Sequence, residues 1–180
     1  MIARGHDNSG PRRRKGSDAA ARGFTLIEML ITLVVAAILL GLAIPSYNDA
    51  VLGSRVSNLA NDLIASIQLA RGEAIKRNAP VTLCRSANGT TCAVAGSWEQ
   101  GWIVAQGATV FQYQQPAPTG FKVVAAGGAG TLTFQPIGIG ATAATFKVCR
   151  ESPVGKQERL VNVSATGMAY VTTTEAGVCP

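Results

Sequence analysis

Arg22-Gly23-Phe24-Thr25-Leu26-Ile27-Glu28 ends a basic segment on a glycine and sets a lone carboxylate just inside an apolar run. From Phe24 to Ile44 the only ionisable side chain is Glu28. A stretch of about 20 such residues is long enough to cross a bilayer as one helix, because a helix satisfies its own backbone polar groups in lipid. Residues 24–45 are therefore expected to be a membrane helix in contact with the lipid bilayer.

The position of the glycine separates this segment from a secretory signal, whose cleavage site lies beyond the apolar region. Here the plausible cut precedes it. The Gly23/Phe24 junction, the Thr-Leu-Ile-Glu that follows and Pro45 at the end of the run resemble type IV pilins and type II secretion pseudopilins. The resemblance implies a cleaved leader, residues 1–23. It also implies that a prepilin peptidase cuts between Gly23 and Phe24 on the cytoplasmic side and methylates the new amino group of Phe24.

Glu28 points the same way by a separate route. A carboxylate on a membrane helix costs roughly 2.5–3.5 kcal/mol, so one is seldom kept there without a partner. A free amino group on Phe24, with an ordinary pKa of about 7.7–8, would be a cation at matching depth. In pilins this carboxylate is taken to pair with the amino terminus of a neighbouring subunit and so to register it; the bland alternative is that Glu28 snorkels to the membrane edge.

Charge asymmetry sets the orientation. Six basic side chains against Asp7 and Asp18 give the leader +4 of the chain's formal +6. The positive-inside rule keeps that end cytoplasmic and sends the carboxy-terminal part outward. The expected location is a single-pass inner-membrane protein with a periplasmic domain, passing into a pilus or pseudopilus. With the leader gone, net charge says little about partners.

After the membrane run, Leu52, Val56, Leu59, Leu63, Ile67, Ala70 and Ala74 recur at helical spacing. Residues 46–79 are therefore read as an amphipathic helix whose apolar stripe packs on a head domain, residues 80–180. Pro45 has no N–H for the carbonyl of Gly41 and crowds that turn. A bend or local melting from Gly41 to Pro45 is expected.

From Pro80 the texture becomes short β-branched or aromatic runs between Gly, Pro, Asn and Ser. Runs at 81–84, 102–104, 109–111, 121–124, 131–134, 145–148, 160–163 and 169–171 read as strands of an antiparallel sheet, with 112–120 and 125–130 as surface loops. The expected fold is α+β: a pilin-like ladle, one long amino-terminal helix packed on a β-rich head. Leu69-Ala70-Arg71-Gly72-Glu73-Ala74-Ile75, Val81-Thr82-Leu83-Cys84 and Trp98-Glu99-Gln100-Gly101-Trp102 look like the FimT/GspH group of minor pilins and minor pseudopilins. Trp98 and Trp102 are read as core.

Cys84, Cys92, Cys149 and Cys179 all lie beyond the membrane run, where an oxidising compartment favours disulfides. Three connectivities are open; we favour Cys84–Cys92, closing a turn, and Cys149–Cys179, tying down the carboxyl terminus. No CxxC pair exists and the one histidine, His6, lies in the leader, so no metal site is expected. Without a histidine the mature chain has no Ser-His-Asp or Cys-His nucleophile, and its carboxylates show no paired spacing. No catalytic residue and no cofactor are expected: the chain reads as a non-enzyme.

Two function classes follow. The first is a minor pilin supporting pilus assembly, or a GspH-like pseudopilin, with other pilins, the prepilin peptidase and the inner-membrane assembly machinery as partners. The second is DNA binding, since some FimT-like pilins take part in DNA uptake through a basic Gly-Arg-x-Arg element. The matching place here reads Gly167-Met168-Ala169-Tyr170, without either arginine. DNA contact would then rest on Lys147, Arg150, Lys156 and Arg159, with Glu151 and Glu158 interleaved, and is not favoured.

Overall fold

The computed structural model describes residues 23–138, 141–152, 155, 157–175 and 177–180. The chain divides into two compact units, Met1–Leu42 and Ala43–Pro180. Among the described residues the one α-helix, α1, is Leu26–Arg77.

In the first unit Thr25 stands at the N-cap of α1: the Glu28 N–H donates to Thr25 Oγ1 at 3.3 Å. Thr25-x-x-Glu28 thus has capping-box spacing, and Glu28 puts a negative charge in the first turn, where the helix dipole favours one. The helix is long and apolar enough to cross a membrane by length and composition. Gly41 and Pro45 lie inside α1, so no melted turn stands at either residue. A proline deletes one N–H bond, and the turns on either side keep theirs.

In the second unit the stripe is buried. Val56, Leu59, Leu63, Ile67, Ala70 and Ala74 are core residues, and Leu52 packs on them half-buried. The helix ends in a Schellman arrangement. Asn78 takes the left-handed conformation (φ 50°), Asn78 N–H bonds to Ile75 O at 3.3 Å and Ala79 N–H to Ala74 O at 3.2 Å. Pro80 then prevents continuation and the chain enters β1.

Among the described residues eight strands follow: β1 Val81–Arg85, β2 Trp102–Gln106, β3 Thr109–Gln114, β4 Phe121–Ala125, β5 Thr131–Phe134, β6 Ala144–Arg150, β7 Glu158–Val163 and β8 Ala169–Thr174. They form two antiparallel four-stranded sheets rather than one, ordered β3-β2-β1-β5 and β4-β6-β7-β8. The sequence marks where strands are but not which strands pair, because pairing is non-local. Residues 112–114, read as loop, extend β3, and Ala126–Gly128 is a 3-10 turn that carries the chain from β4 to β5.

Alternating residues of both sheets face α1. Val81, Leu83, Leu132 and Phe134 come from one sheet; Val123, Phe146, Val148 and Val161 come from the other, and all join the helix stripe in one core. Trp98, in a 3-10 turn before β2, meets Phe146 of the opposite sheet edge-on at 4.9 Å and Trp102 at 6.4 Å. Both indole N–H groups are satisfied: Trp98 donates to Ala129 O at 2.7 Å, and Trp102 to the buried Ser66 Oγ at 2.9 Å.

Candidate functional site

At the amino-terminal end, the large apolar side chains described from Phe24 to Ile44 are all at least 50% exposed. A Cβ built on Gly23 would meet nothing within 4 Å. Packing therefore does not demand glycine at Gly23. Glu28 sits three residues from the cap, on an otherwise apolar first turn. The arrangement offers one anionic point on a wide hydrophobic surface.

The head treats its charges differently. Lys147 Nζ lies 3.0 Å from Oε2 of Glu158, a carboxylate only 1% exposed, and also donates to Val178 O. The same Glu158 oxygen accepts from Thr174 Oγ1 at 3.1 Å. Arg150, with its side chain 7% exposed, reaches Asp49 Oδ1 of α1 at 3.2 Å. Arg159 Nη1 donates to Glu158 O at 3.0 Å. Lys156 lies outside the described residues. Lys147 and Arg150, two of the four side chains considered for DNA, are thus built into the head rather than aligned as a phosphate-facing strip.

A second ionic group ties α1 to β3. Glu73 pairs with Arg77 at 2.5 Å and with Lys76 at 3.5 Å, and the Arg77 guanidinium lies 4.2 Å over the Phe111 ring. The Arg77 hydrogen bond holds the Glu73 carboxyl below its ordinary pKa.

Two disulfides join Cys84 to Cys92 and Cys149 to Cys179. The first closes the 86–91 turn, where Ser86 Oγ donates to Thr91 O at 2.7 Å and Asn88 Oδ1 accepts from the Thr90 and Thr91 N–H groups at 3.0 Å. The second fastens the chain beyond β8 to β6. Replacing Cys149 and Cys179 together by serine is expected to cost about 2–4 kcal/mol in urea unfolding. The 30-residue separation against 8 makes this loss about 1 kcal/mol larger than that from the Cys84/Cys92 pair. Equal losses would overturn the loop-closure account. Among the described residues no three His, Cys, Asp or Glu side chains group as metal ligands.

Residues 18–44 match the prokaryotic N-terminal methylation motif, and residues 59–167 match the family described as type II transport protein GspH. The chain belongs to the GspH family. The match runs from the helix stripe through both tryptophans to the turn before β8.

Two crystal structures of the type IV minor pilin FimU of Pseudomonas aeruginosa PAO1 resemble the GspH-family chain. One aligns with TM-score 0.54 and 17% identity over 71% of this chain and 93% of FimU. The other aligns with TM-score 0.50 and 19% identity over 69% and 96%. At these identities the likeness is one of fold. No curated protein matches the chain significantly. The GspH-family chain is thus a minor pilin or pseudopilin by family, with the α+β pilin fold.

Sequence reading missed two parts of this architecture. Thr25-x-x-Glu28 is a capping signal visible in the sequence but overshadowed by the membrane reading of Glu28. Ser66, fully buried, carries no apolar signal; only its place one residue before Ile67 on the buried side of α1 hints at it.

Proposed function

We propose that this GspH-family chain is a minor pilin, incorporated into a type IV pilus and supporting its assembly after a prepilin peptidase cuts between Gly23 and Phe24 and methylates Phe24. The observation that carries this reading is the exposed apolar surface of residues 24–44 interrupted by one carboxylate at its capped start. Lipid covers such a surface before assembly, and the helices of neighbouring subunits cover it afterwards. Glu28 pairs with the Phe24 amino group of an adjacent subunit, because a carboxylate at that depth needs a cation. Gly23, for which packing has no use, serves the peptidase. Opening of the turn between Gly41 and Pro45 on entry to the filament belongs to this proposal.

The family description supports a second reading, a type II secretion pseudopilin, which uses the same anchor and the same Glu28 contact. DNA binding is supported less, since Lys147 and Arg150 are engaged within the head.

Glu28→Gln tests the assembly role without disturbing the cap, because glutamine also fits the capping box. The variant is expected to be cleaved and membrane-anchored as before, while its recovery in sheared filaments falls about tenfold or more. Wild-type recovery would reduce Glu28 to a helix cap and remove the proposed contact.

A further inference from the structure

Two of the four sheet edges in the head, those of β5 and β4, are covered by other parts of the chain. The outer edge of β5 is covered by Thr142, whose N–H donates to Thr133 O and whose Oγ1 accepts from Thr133 N–H, each at 3.2 Å. β3 is open on its outer side among the described residues, but it joins β2 through a register shift at Val104/Ala105, and the Gly89 turn lies against its Tyr113 ring. The 3-10 turn Trp98–Gln100 stands beside β4, with Glu99 Oε1 3.8 Å from Lys122 Nζ of that strand. β8 is different. Its six residues pair with β7 in unbroken register, and it carries no Lys, Arg, Pro or Gly. Among the described residues no backbone bond reaches it from any element but β7. An unguarded edge of that length is a template for another strand.

The space beside this edge is hollow at both ends. One cavity of about 210 Å³ lies between Arg71 and Ile75 of α1 and Met168 and Ala169. Another, of about 390 Å³, lies between Ser54 and Asn58 of α1 and Arg159 and Thr173. In the first cavity Arg71 lacks a counter-ion among the described residues. Its Nε is buried without a hydrogen-bond acceptor, and its Nη2 reaches only Gly138 O at 3.5 Å. Glu73, the acid nearest in sequence, is bound to Lys76 and Arg77. Ile75 and Met168 rim the cavity, 50% and 61% exposed.

We propose that the trench between α1 and β8 receives an extended, acidic segment of a neighbouring subunit, which adds to β8 as a fifth strand and sets a carboxylate on Arg71. The charge of Arg71, with no counter-ion among the described residues and an Nε–H without an acceptor, favours a carboxylate, which can accept two parallel bonds from a guanidinium. The alternating N–H and C=O groups of β8 select an extended backbone. A polyanion such as DNA fits poorly, because the nearby Lys76 and Arg77 are already bound to Glu73. That the partner is a neighbouring subunit rests on the assembly reading; the preference for an acidic strand does not.

The test uses the full chain in detergent micelles and a labelled, capped nine-residue peptide of alternating valine and threonine with one central glutamate. A glutamine peptide and sodium acetate serve as the other probes. The glutamate peptide is expected to bind about tenfold more tightly than the glutamine peptide. It should also slow amide hydrogen exchange across Ala169–Thr174. Arg71→Gln should erase the difference between the peptides.

Equal binding of the two peptides, binding of neither, or unchanged β8 exchange overturns the proposal. So does acetate protecting β8 as well as the peptide does. The comparison between peptides needs no altered protein, so misfolding of Arg71→Gln cannot obscure it. Because no filament is involved, its failure is independent of the Glu28→Gln result.

Discussion

Trp102→Ala is expected to lower the stability of the head by about 3–5 kcal/mol, the usual cost of emptying a fully buried aromatic site. Trp102 opens β2 with no exposed surface, and its indole N–H ends on Ser66 Oγ, which is itself buried and donates to Asp62 O at 2.8 Å. The indole therefore fills the space between α1 and one sheet and also satisfies a hydroxyl in a dry place. Truncation removes the packing and leaves that hydroxyl without its donor. Set against a typical total of about 5–15 kcal/mol, the loss is a large share of the whole. Urea unfolding followed by Trp98 fluorescence measures it. Trp102→Phe, which keeps most of the volume, should cost less than half as much, and Ser66→Ala about 1 kcal/mol. A loss under about 1 kcal/mol for Trp102→Ala would mean that the helix and sheet close over the gap.

Lys147→Met should be nearly as damaging, for an electrostatic reason. It strips the cation from Glu158, a carboxylate 1% exposed that would retain only the Thr174 hydroxyl at Oε2. Breaking a buried pair from one side costs about 3–5 kcal/mol, and with Lys147 itself 22% exposed the lower end applies. Adding Glu158→Gln removes the stranded charge, so the double variant should recover more than half of the loss. Additive losses in this double-mutant cycle would show that the two side chains are not coupled. The same geometry bears on any DNA assay: charge removal at Lys147 would weaken binding by weakening the fold. Arg159, bonded to a backbone carbonyl, is the cleaner position to change.

The legible and illegible parts of this molecule divide along a physical line. The helix stripe and the strand segments are periodic signals, and a period of 3.6 or 2 is written locally. The stripe from Leu52 to Ala74 meets the core at every position read. The partition of strands into two sheets is a matter of long-range pairing, which no local pattern encodes: β5, last of the first sheet, enters it beside β1, 46 residues after β1 ends. The burial of Glu158 and Arg150 was equally invisible, since charged residues are ordinarily exposed and only a partner brought up by the fold makes the exception. At the amino terminus the reverse holds. The stretch from Gly23 to Ile44 is readable because its signal, a glycine followed by an apolar run with one carboxylate, is written in consecutive residues and needs no partner brought up by the fold.

The order of strands in the two sheets has a further consequence. The chain builds three strands of one sheet, leaves to place β4 in the other, returns for β5, and leaves again for β6 to β8. No single cut in the head yields two self-contained pieces, because any break between β1 and β8 leaves one sheet missing a strand that lies on the far side of the cut. As the chain emerges from its amino end, the first sheet waits for β5, and β4 has no strand to pair with until β6 arrives. The head is thus committed to folding late and all at once, and a stalled or clipped chain would keep its apolar strands open to capture by quality-control proteases.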